Sequence, residues 1–270
     1  MRKVVMVLKT ILLAAVLIGL IAALIYGRLN NPLKQTAPSQ ATVSQEQEAA
    51  AVPAADGAAF FSAQDSPAPE DAAVQEPSED RLPDIDIGSW EFILANASHS
   101  VEEYDPDLEA IEDIELDARI IEPMTRFVND ARNQGLSVIL ASGYRGYEEQ
   151  SELFEVKVAQ CDGDEAEAAT IIARPGTSEH QTGLAADITD DYYEFKTEAL
   201  EKTELYQWMS THCQEYGFIV RFPKGKEDVT GIIYEPWHFR YVGEEAAAYI
   251  MNHGLALEEF LELYDTGKEL

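Results

Sequence analysis

The sequence is poor in cysteine and in basic residues, and each shortage excludes a class of protein. Its two cysteines, Cys161 and Cys213, belong to no CxxC pair, so neither a thiolate zinc site nor a disulfide framework is indicated. They either pair with each other or remain free thiols. Only 19 Lys and Arg stand against 50 Asp and Glu, and the net charge is −31. Because nucleic-acid binding depends on basic residues that neutralise phosphates, nucleic acid is not expected as a partner.

One long apolar run lies near the N terminus. Residues 4–26 are apolar apart from Lys9 and Thr10, and residues 1–34 contain five basic residues and no acid. As a helix the run would be roughly 35 Å long, enough to cross a hydrocarbon core about 30 Å thick. Basic residues before the run favour a cytoplasmic N terminus. We therefore expect 1–34 to be a single-pass membrane anchor with the rest of the chain outside the cytoplasm. A cleaved signal peptide is the alternative.

The next segment has the composition of a disordered linker. Residues 35–80 contain no Lys or Arg and nine acidic residues, and they are rich in Ala, Gln, Pro and Ser. Such a segment buries too little apolar surface to offset the entropy lost on folding. We therefore expect an acidic linker over 35–83 and one globular domain over 84–270.

The pattern of this domain mixes helices and strands without a regular βαβ alternation, which favours an α+β fold. Helical periodicity and Gly or Pro boundaries predict helices at 123–134, 147–160, 164–173, 205–216, 244–252 and 257–264. Short apolar runs predict strands at 136–141, 183–188 and within 231–242.

The stretch TSEHQTGLAADI, residues 177–188, contains the first candidate metal ligands. In a strand, Gly183, Ala185 and Asp187 share one face, while the larger apolar residues alternate to the other, towards a core. The Asp187 carboxylate then projects over a face with little bulk, and His180 lies in the turn just before the strand. Surface polar residues beside a strand are the alternative interpretation of His180 and Asp187. A third ligand is needed to distinguish a metal site from such a surface.

The run EPWHFRY, residues 235–241, supplies that ligand. His238 lies in a strand-like aromatic stretch three residues after Glu235. Two histidines and one aspartate leave one tetrahedral position open, as in catalytic zinc sites. Glu235 is then the candidate general base. On a regular strand it would face away from His238, but Pro236 disfavours regular pairing and allows a bend. Trp237 and Phe239 are interpreted as core residues.

Arg145 follows a buried strand in SGYRG and is flanked by Gly143 and Gly146. A guanidinium there can hold a carboxylate or stabilise a developing oxyanion. Pairing with surface acids is the alternative for an arginine in so acidic a domain.

Together, SGYRGYEEQ, PGTSEHQTGLAADI and GFIVRFPKGKEDVTGIIYEPWHFRYVG resemble the metallo D-alanyl-D-alanine carboxypeptidases of the VanY type. This zinc peptidase group also includes D-Ala-D-Ala dipeptidases and some L,D-carboxypeptidases. The resemblance covers about residues 89–263. It implies the α+β fold of the hedgehog signalling domain, in which helices flank a small antiparallel sheet.

The resemblance also implies roles for individual residues. His180, Asp187 and His238 look like the Zn²⁺ ligands and Glu235 like the catalytic base. Arg145 resembles the arginine that binds and polarises the substrate. Ser178 resembles a serine that holds the substrate's terminal carboxylate, and Gln150 and Tyr144 are expected to line the same pocket.

The expected activity is therefore removal of the terminal D-alanine from peptidoglycan stem peptides. L,D-carboxypeptidase activity on tetrapeptide stems uses the same zinc chemistry, so the motifs do not separate the two. A non-catalytic zinc-containing cell-wall binding module is the alternative from another class, and Glu235 argues against it. No obligate protein partner is indicated.

Overall fold

The computed structural model describes residues 81–191 and 196–267, all within one compact unit. The predicted anchor at 1–34 and nearly all of the predicted linker lie outside these residues. Within the described part of the chain, no helix combines the length and the apolar character needed to span a bilayer.

A four-stranded antiparallel sheet forms the centre of the domain. Its strands are β3 (Ile139–Ser142), β4 (Ala185–Thr189), β5 (Phe218–Val220) and β6 (His238–Tyr241), in the spatial order β3-β4-β6-β5. A separate hairpin joins β1 (Leu108–Ile111) to β2 (Ile114–Asp117). This arrangement confirms the predicted mixture of helices and a small antiparallel sheet. The hairpin was not predicted, because its alternation of exposed acids with apolar residues is too short to separate from a loop.

The described residues contain seven α-helices, several of which pack against the sheet. They are α1 (Ile121–Asn133), α2 (Tyr147–Gln160), α3 (Glu165–Ile171), α4 (Glu204–His212), α5 (Glu227–Thr230), α6 (Glu244–His253) and α7 (Leu257–Thr266). The helix predicted from Pro123 begins two residues earlier, and Pro123 lies in its first turn, where a missing N–H breaks no helical hydrogen bond. The long helix predicted at 205–216 ends at His212 and continues as the 3-10 turn Cys213–Tyr216.

The main core lies between the sheet and helices α1 and α4. Leu184, Ala186 and Ile188 are at most 1% exposed and pack there with Phe127 and Phe239. The predicted alternation along GLAADI is thus confirmed, and it leaves Asp187 on the opposite face. A second cluster around α6 and α7 includes Ile219, which lies between the main-core residues Phe218 and Val220 on β5 and therefore faces the opposite side of the sheet.

Two glycines allow the segments around the site to approach closely. Gly183 has φ +70°, and a Cβ there would lie 2.8 Å from the backbone nitrogen of Asp117. Gly143 lies so close to the carbonyl of Glu115 that no Cβ would fit. The β1–β2 hairpin can pack this closely against the site because neither position carries a side chain. A side chain at either glycine would displace the hairpin.

The two cysteines are not paired. Cys213 is fully buried in the main core and Cys161 is partly exposed at the end of α2, and both are free thiols. Burial raises the pKa of the Cys213 thiol to about 12, so that side chain behaves as a small apolar residue.

Candidate active site

The register of the sheet brings two of the predicted ligands together. Asp187 on β4 is the cross-strand partner of His238 on β6, so their side chains extend from the same face. His180 reaches the same point from the 3-10 turn Glu179–Thr182, which immediately precedes β4. One ligand atom from each of the three residues lies within 4.8 Å of the others, and all three side chains are buried.

The distances between these atoms suit zinc. Asp187 Oδ1 lies 3.4 Å from His180 Nε2 and 3.1 Å from His238 Nδ1. Two ligands about 2.0–2.1 Å from a tetrahedral zinc ion are separated by about 3.3 Å. Asp187 is therefore already spaced from each histidine as a shared zinc ion would require.

Each ligand is oriented by a second contact on its far side. His180 Nδ1 lies 2.6 Å from the Gly143 carbonyl, an acceptor, so Nδ1 carries the proton and Nε2 is left for a metal. His238 has the opposite arrangement, with Nε2 3.4 Å from Glu179 Oε2 and Nδ1 directed at Asp187. Asp187 accepts a 2.6 Å hydrogen bond from Lys196 Nζ on Oδ2, which leaves Oδ1 for the metal.

Burial and charge set the protonation of the ligands. Burial, reinforced by the positive charge of Arg145, lowers the pKa of His180 to about 4, so its imidazole is neutral. Burial alone would raise the pKa of Asp187, but His180 and Lys196 outweigh it and hold that pKa well below its ordinary value. For His238, burial is outweighed by the hydrogen bonds to Asp187 and Glu179, which raise its pKa to about 9. A metal ion therefore has to displace a proton from His238 when it binds.

Glu235 lies beside the ligands because the chain bends at Pro236. Pro236 and Trp237 form a turn before β6, and the amide of His238 donates to the Glu235 carbonyl across it at 3.4 Å. The Glu235 carboxylate is thereby 3.7 Å from His238 Nδ1. The predicted bend is confirmed. Burial raises the pKa of Glu235 to about 7, which is the range in which a carboxylate exchanges protons efficiently near neutral pH.

These residues lie in the wall of a cavity of about 400 Å³. Arg145 and Ser178 also line it, as predicted from the sequence. The amide of Arg145 donates to the His180 carbonyl at 3.1 Å, and its buried Nε has no hydrogen-bond partner among the described residues. Trp237, interpreted from the sequence as a core residue, also lines the cavity, because the turn at Pro236 moves it out of the strand's alternation.

The structure does not bring Gln150 and Tyr144 to this cavity. Gln150 is fully buried and its Nε2 donates to the Ala173 carbonyl at 2.6 Å, so it supports the backbone that precedes Ser178. Tyr144 is partly buried, and its amide donates to the Glu115 carbonyl at 2.7 Å in the hairpin. Neither is among the residues that line the cavity.

Several charged residues near the ligands were missed by the sequence analysis. Glu179, Arg221 and Arg240 are at most 3% exposed, and Lys196 contacts Asp187 directly. Glu179 lies between Ser178 and His180, but in a sequence with 50 acidic residues its position alone did not distinguish it from a surface acid. Arg240 lies two residues after His238 on β6 and so shares its face of the sheet, opposite Ala185 in the register.

Comparison with known proteins identifies the family. The VanY family model, described as D-alanyl-D-alanine carboxypeptidase, matches residues 113–244. A D-alanyl-D-alanine carboxypeptidase of Enterococcus faecalis is 41% identical over 187 residues, which are 65% of this chain and 67% of that protein. The chain belongs to the VanY family.

Solved structures of the VanY family share the fold. The crystal structure of a mutant of the vancomycin-resistance D,D-pentapeptidase VanY in complex with Zn(II) is 40% identical, with a TM-score of 0.58 over 64% of this chain and 99% of that one. The L,D-carboxypeptidase LdcB is 35% identical, with a TM-score of 0.57 over 68% of this chain and 94% of that one. The predicted VanY-type zinc peptidase family is thereby confirmed, and the cluster of His180, Asp187 and His238 fits its zinc cofactor.

Proposed function

We propose that this protein is a zinc-dependent D-alanyl-D-alanine carboxypeptidase that removes the terminal D-alanine from peptidoglycan stem peptides. The observation that carries the proposal is the position of Glu235, whose side chain is 13% exposed and whose carboxylate lies 3.7 Å from one of three converging metal ligands. A purely structural zinc site has no need for such a group. Similarity to D-alanyl-D-alanine carboxypeptidases supports the choice of peptide.

The residues of the site divide the chemistry between them. Zinc held by His180, Asp187 and His238 would supply a water of lowered pKa and polarise the scissile carbonyl. Glu235 takes the proton of the attacking water and passes it to the leaving amine of D-alanine. The guanidinium of Arg145 stabilises the negative charge that develops on the carbonyl oxygen, and Ser178 is placed to donate to the terminal carboxylate.

The charge of the cavity suits a substrate that carries carboxylates. Four cationic side chains line it, although the domain as a whole is strongly acidic: Arg145, Lys157, Arg174 and Lys196. Of its three acids, Asp187 and Glu235 are assigned to the metal and the proton transfer, and Glu179 is paired with Arg221 and Arg240. The remaining positive charge therefore favours an anionic peptide terminus over an uncharged one.

The test is hydrolysis of matched stem peptides. Purified full-length protein is incubated with a pentapeptide stem ending in D-Ala-D-Ala and with the tetrapeptide stem that lacks the last residue, and the products are weighed by mass spectrometry. We expect loss of one alanine from the pentapeptide. Cleavage of the tetrapeptide alone would favour L,D-carboxypeptidase activity, the alternative that the similarity to LdcB supports. A zinc-loaded protein inert on both would favour the binding module.

Replacing Arg145 by lysine should weaken catalysis while preserving charge. Lysine keeps the positive charge but loses the planar fork that binds two oxygens at once. Charge-assisted hydrogen bonds contribute about 1.5–3 kcal/mol, so we expect kcat/KM for the pentapeptide to fall about 10- to 100-fold. Arg126→Lys, on the exposed face of α1, is the control and should keep native kinetics. An Arg145→Lys enzyme with native kcat/KM would show that this guanidinium does not contact the reacting groups.

We further propose that residues 1–34 anchor the enzyme in the cell membrane and that the linker lets the catalytic domain reach the wall outside. The apolar run at 4–26 and its flanking basic residues support this location. The test is fractionation of cells that produce the full chain, followed by protease treatment of intact protoplasts. Recovery of a shortened protein in the medium would instead indicate a cleaved signal peptide.

A further inference from the structure

Glu179 uses its two carboxylate oxygens for different partners. Oε1 accepts from Arg221 Nε at 2.6 Å and from Arg240 Nη1 at 2.9 Å. Oε2 is left facing His238 Nε2 at 3.4 Å. Because both arginines donate to one oxygen, the other oxygen is free to accept the Nε2–H of the metal-binding histidine.

The arginines in turn connect Glu179 to the ends of the domain. Arg221 Nη1 and Nη2 donate to the two carboxylate oxygens of Glu258 on α7 at 2.8 and 2.7 Å. Arg240 Nη2 donates to the carbonyls of Glu91 and Ile93, each at 2.8 Å. We call Glu179, Arg221, Arg240 and Glu258 the buried ion tetrad. It contains two positive and two negative groups, so its net charge is zero, and both arginine side chains are 0% exposed.

Three residues of these contacts lie outside the part of the chain that the family model matches. Residues 113–244 contain the ligands, Glu235 and both arginines, whereas Glu258 and the carbonyls at 91 and 93 flank that range. The flanking segments therefore complete the hydrogen bonding of the two arginines whose positions fix Glu179. Arg221 and Arg240 therefore link residues near both ends of the described domain to Glu179, and Glu179 contacts the metal ligand His238.

We propose that Glu179 is a positioning residue that holds His238 with Nε2 protonated and Nδ1 towards the metal, and that Glu258 supports it through Arg221. Outer partners of metal-binding histidines fix the tautomer and the ring orientation in this way. The buried ion tetrad thus makes α7, the last helix of the described chain, part of the support of the zinc site. The proposal rests on the zinc site of the proposed function and is independent of which peptide is cleaved.

Glutamine at position 179 tests the proposal without changing the size of the side chain. One amide oxygen can still accept from the arginines, but the amide NH₂ then faces Nε2–H, and two donors cannot bond to each other. His238 must either change its tautomer, which places the proton on Nδ1, or rotate, which moves Nδ1; in both cases Nδ1 no longer offers a lone pair to the metal. Glu258→Gln is milder, because it weakens the bidentate contact to Arg221 and leaves Glu179 in place.

The measurements are made on full-length protein without substrate, so a failure of the carboxypeptidase assignment does not affect them. The Zn²⁺ dissociation constant is obtained by competition with a chromogenic chelator, and the Co²⁺ derivative is examined by visible absorption. We expect zinc binding to weaken about 10- to 100-fold in Glu179→Gln, with an altered Co²⁺ spectrum, and by a smaller factor in Glu258→Gln. Glu262→Gln, an exposed acid on the same helix, is the matched control and should bind zinc as the native protein does.

The thermal unfolding of the metal-free variants separates positioning from general stability. A merely structural role would lower the unfolding temperature of the metal-free protein and leave zinc affinity unchanged. A folded Glu179→Gln protein that binds zinc within about twofold of the native affinity would overturn the proposal, as would an equal loss in Glu258→Gln and Glu262→Gln. If Glu179→Gln does not fold, the comparison of Glu258→Gln with Glu262→Gln decides: native affinity in Glu258→Gln overturns the proposal.

Discussion

Replacing Glu235 by glutamine is expected to lower kcat for the pentapeptide by about 10²–10⁴-fold, the usual contribution of a general base. Glutamine has the same shape but accepts no proton at neutral pH. Zinc should remain bound, because the three ligands and the contacts behind them are untouched: the Gly143 carbonyl, Glu179 and Lys196. The measurement is kcat together with zinc content by atomic absorption.

The matched control for Glu235→Gln is Asp228→Asn, an exposed acid-to-amide change on α5 outside the cavity, which should leave kcat unchanged. KM should change little in Glu235→Gln, since the carboxylate acts on the water and the leaving amine rather than on the bound peptide. Rapid turnover by a zinc-loaded Glu235→Gln protein would transfer the role of base to another group. Loss of zinc together with turnover would show that Glu235 also supports the metal.

Asp187 and Glu235 could be predicted from the sequence because a local feature marks each of them. Alternation along GLAADI separates Asp187 from the core residues beside it, and the structure confirms this separation. Pro236 marks the bend that turns Glu235 towards His238. Strand alternation and a bend at proline are determined by a few neighbouring residues, so both can be inferred from the sequence.

The support behind the ligands could not be predicted in the same way. Glu179 contacts Arg221 and Arg240 across 42 and 61 residues, and Arg221 contacts Glu258 across a further 37. Such pairs depend on strand register and on the docking of α7. In a chain with so many acidic residues, no local pattern distinguishes a buried glutamate from an exposed one.

The predictions for the residues of the substrate pocket had different outcomes. Ser178 immediately precedes the 3-10 turn that carries His180, and the amide of Arg145 donates to the His180 carbonyl. Both residues line the cavity. Gln150, like Ser178, was predicted from the resemblance alone, but it lies on α2 with its amide turned to the Ala173 carbonyl. A residue on a helix can face the cavity or the backbone behind it after a small rotation, and the packing of the helix decides between the two.

Replacing His180 by asparagine should remove zinc and, with it, the activity. Asparagine places an amide nitrogen near the position of Nδ1, so the 2.6 Å contact to the Gly143 carbonyl can persist while the Nε2 donor is lost. Two protein ligands remain where a catalytic zinc site normally has three. Loss of a residue that only hydrogen-bonds to a metal ligand weakens metal binding about 10- to 100-fold. Loss of a ligand itself should lower zinc affinity by a larger factor, and we expect peptide hydrolysis to become undetectable.

The control for His180→Asn is His99→Asn, an exposed histidine outside the cavity, which should keep native zinc content and activity. Chelation of the native enzyme should reproduce the loss, and added Zn²⁺ should restore activity to the native and His99→Asn proteins but not to His180→Asn. Because the amide preserves the buried hydrogen bond, unfolding of the metal-free variant should match that of the metal-free native protein. Hydrolysis by a metal-free His180→Asn protein would mean that the reaction does not use the three-ligand site.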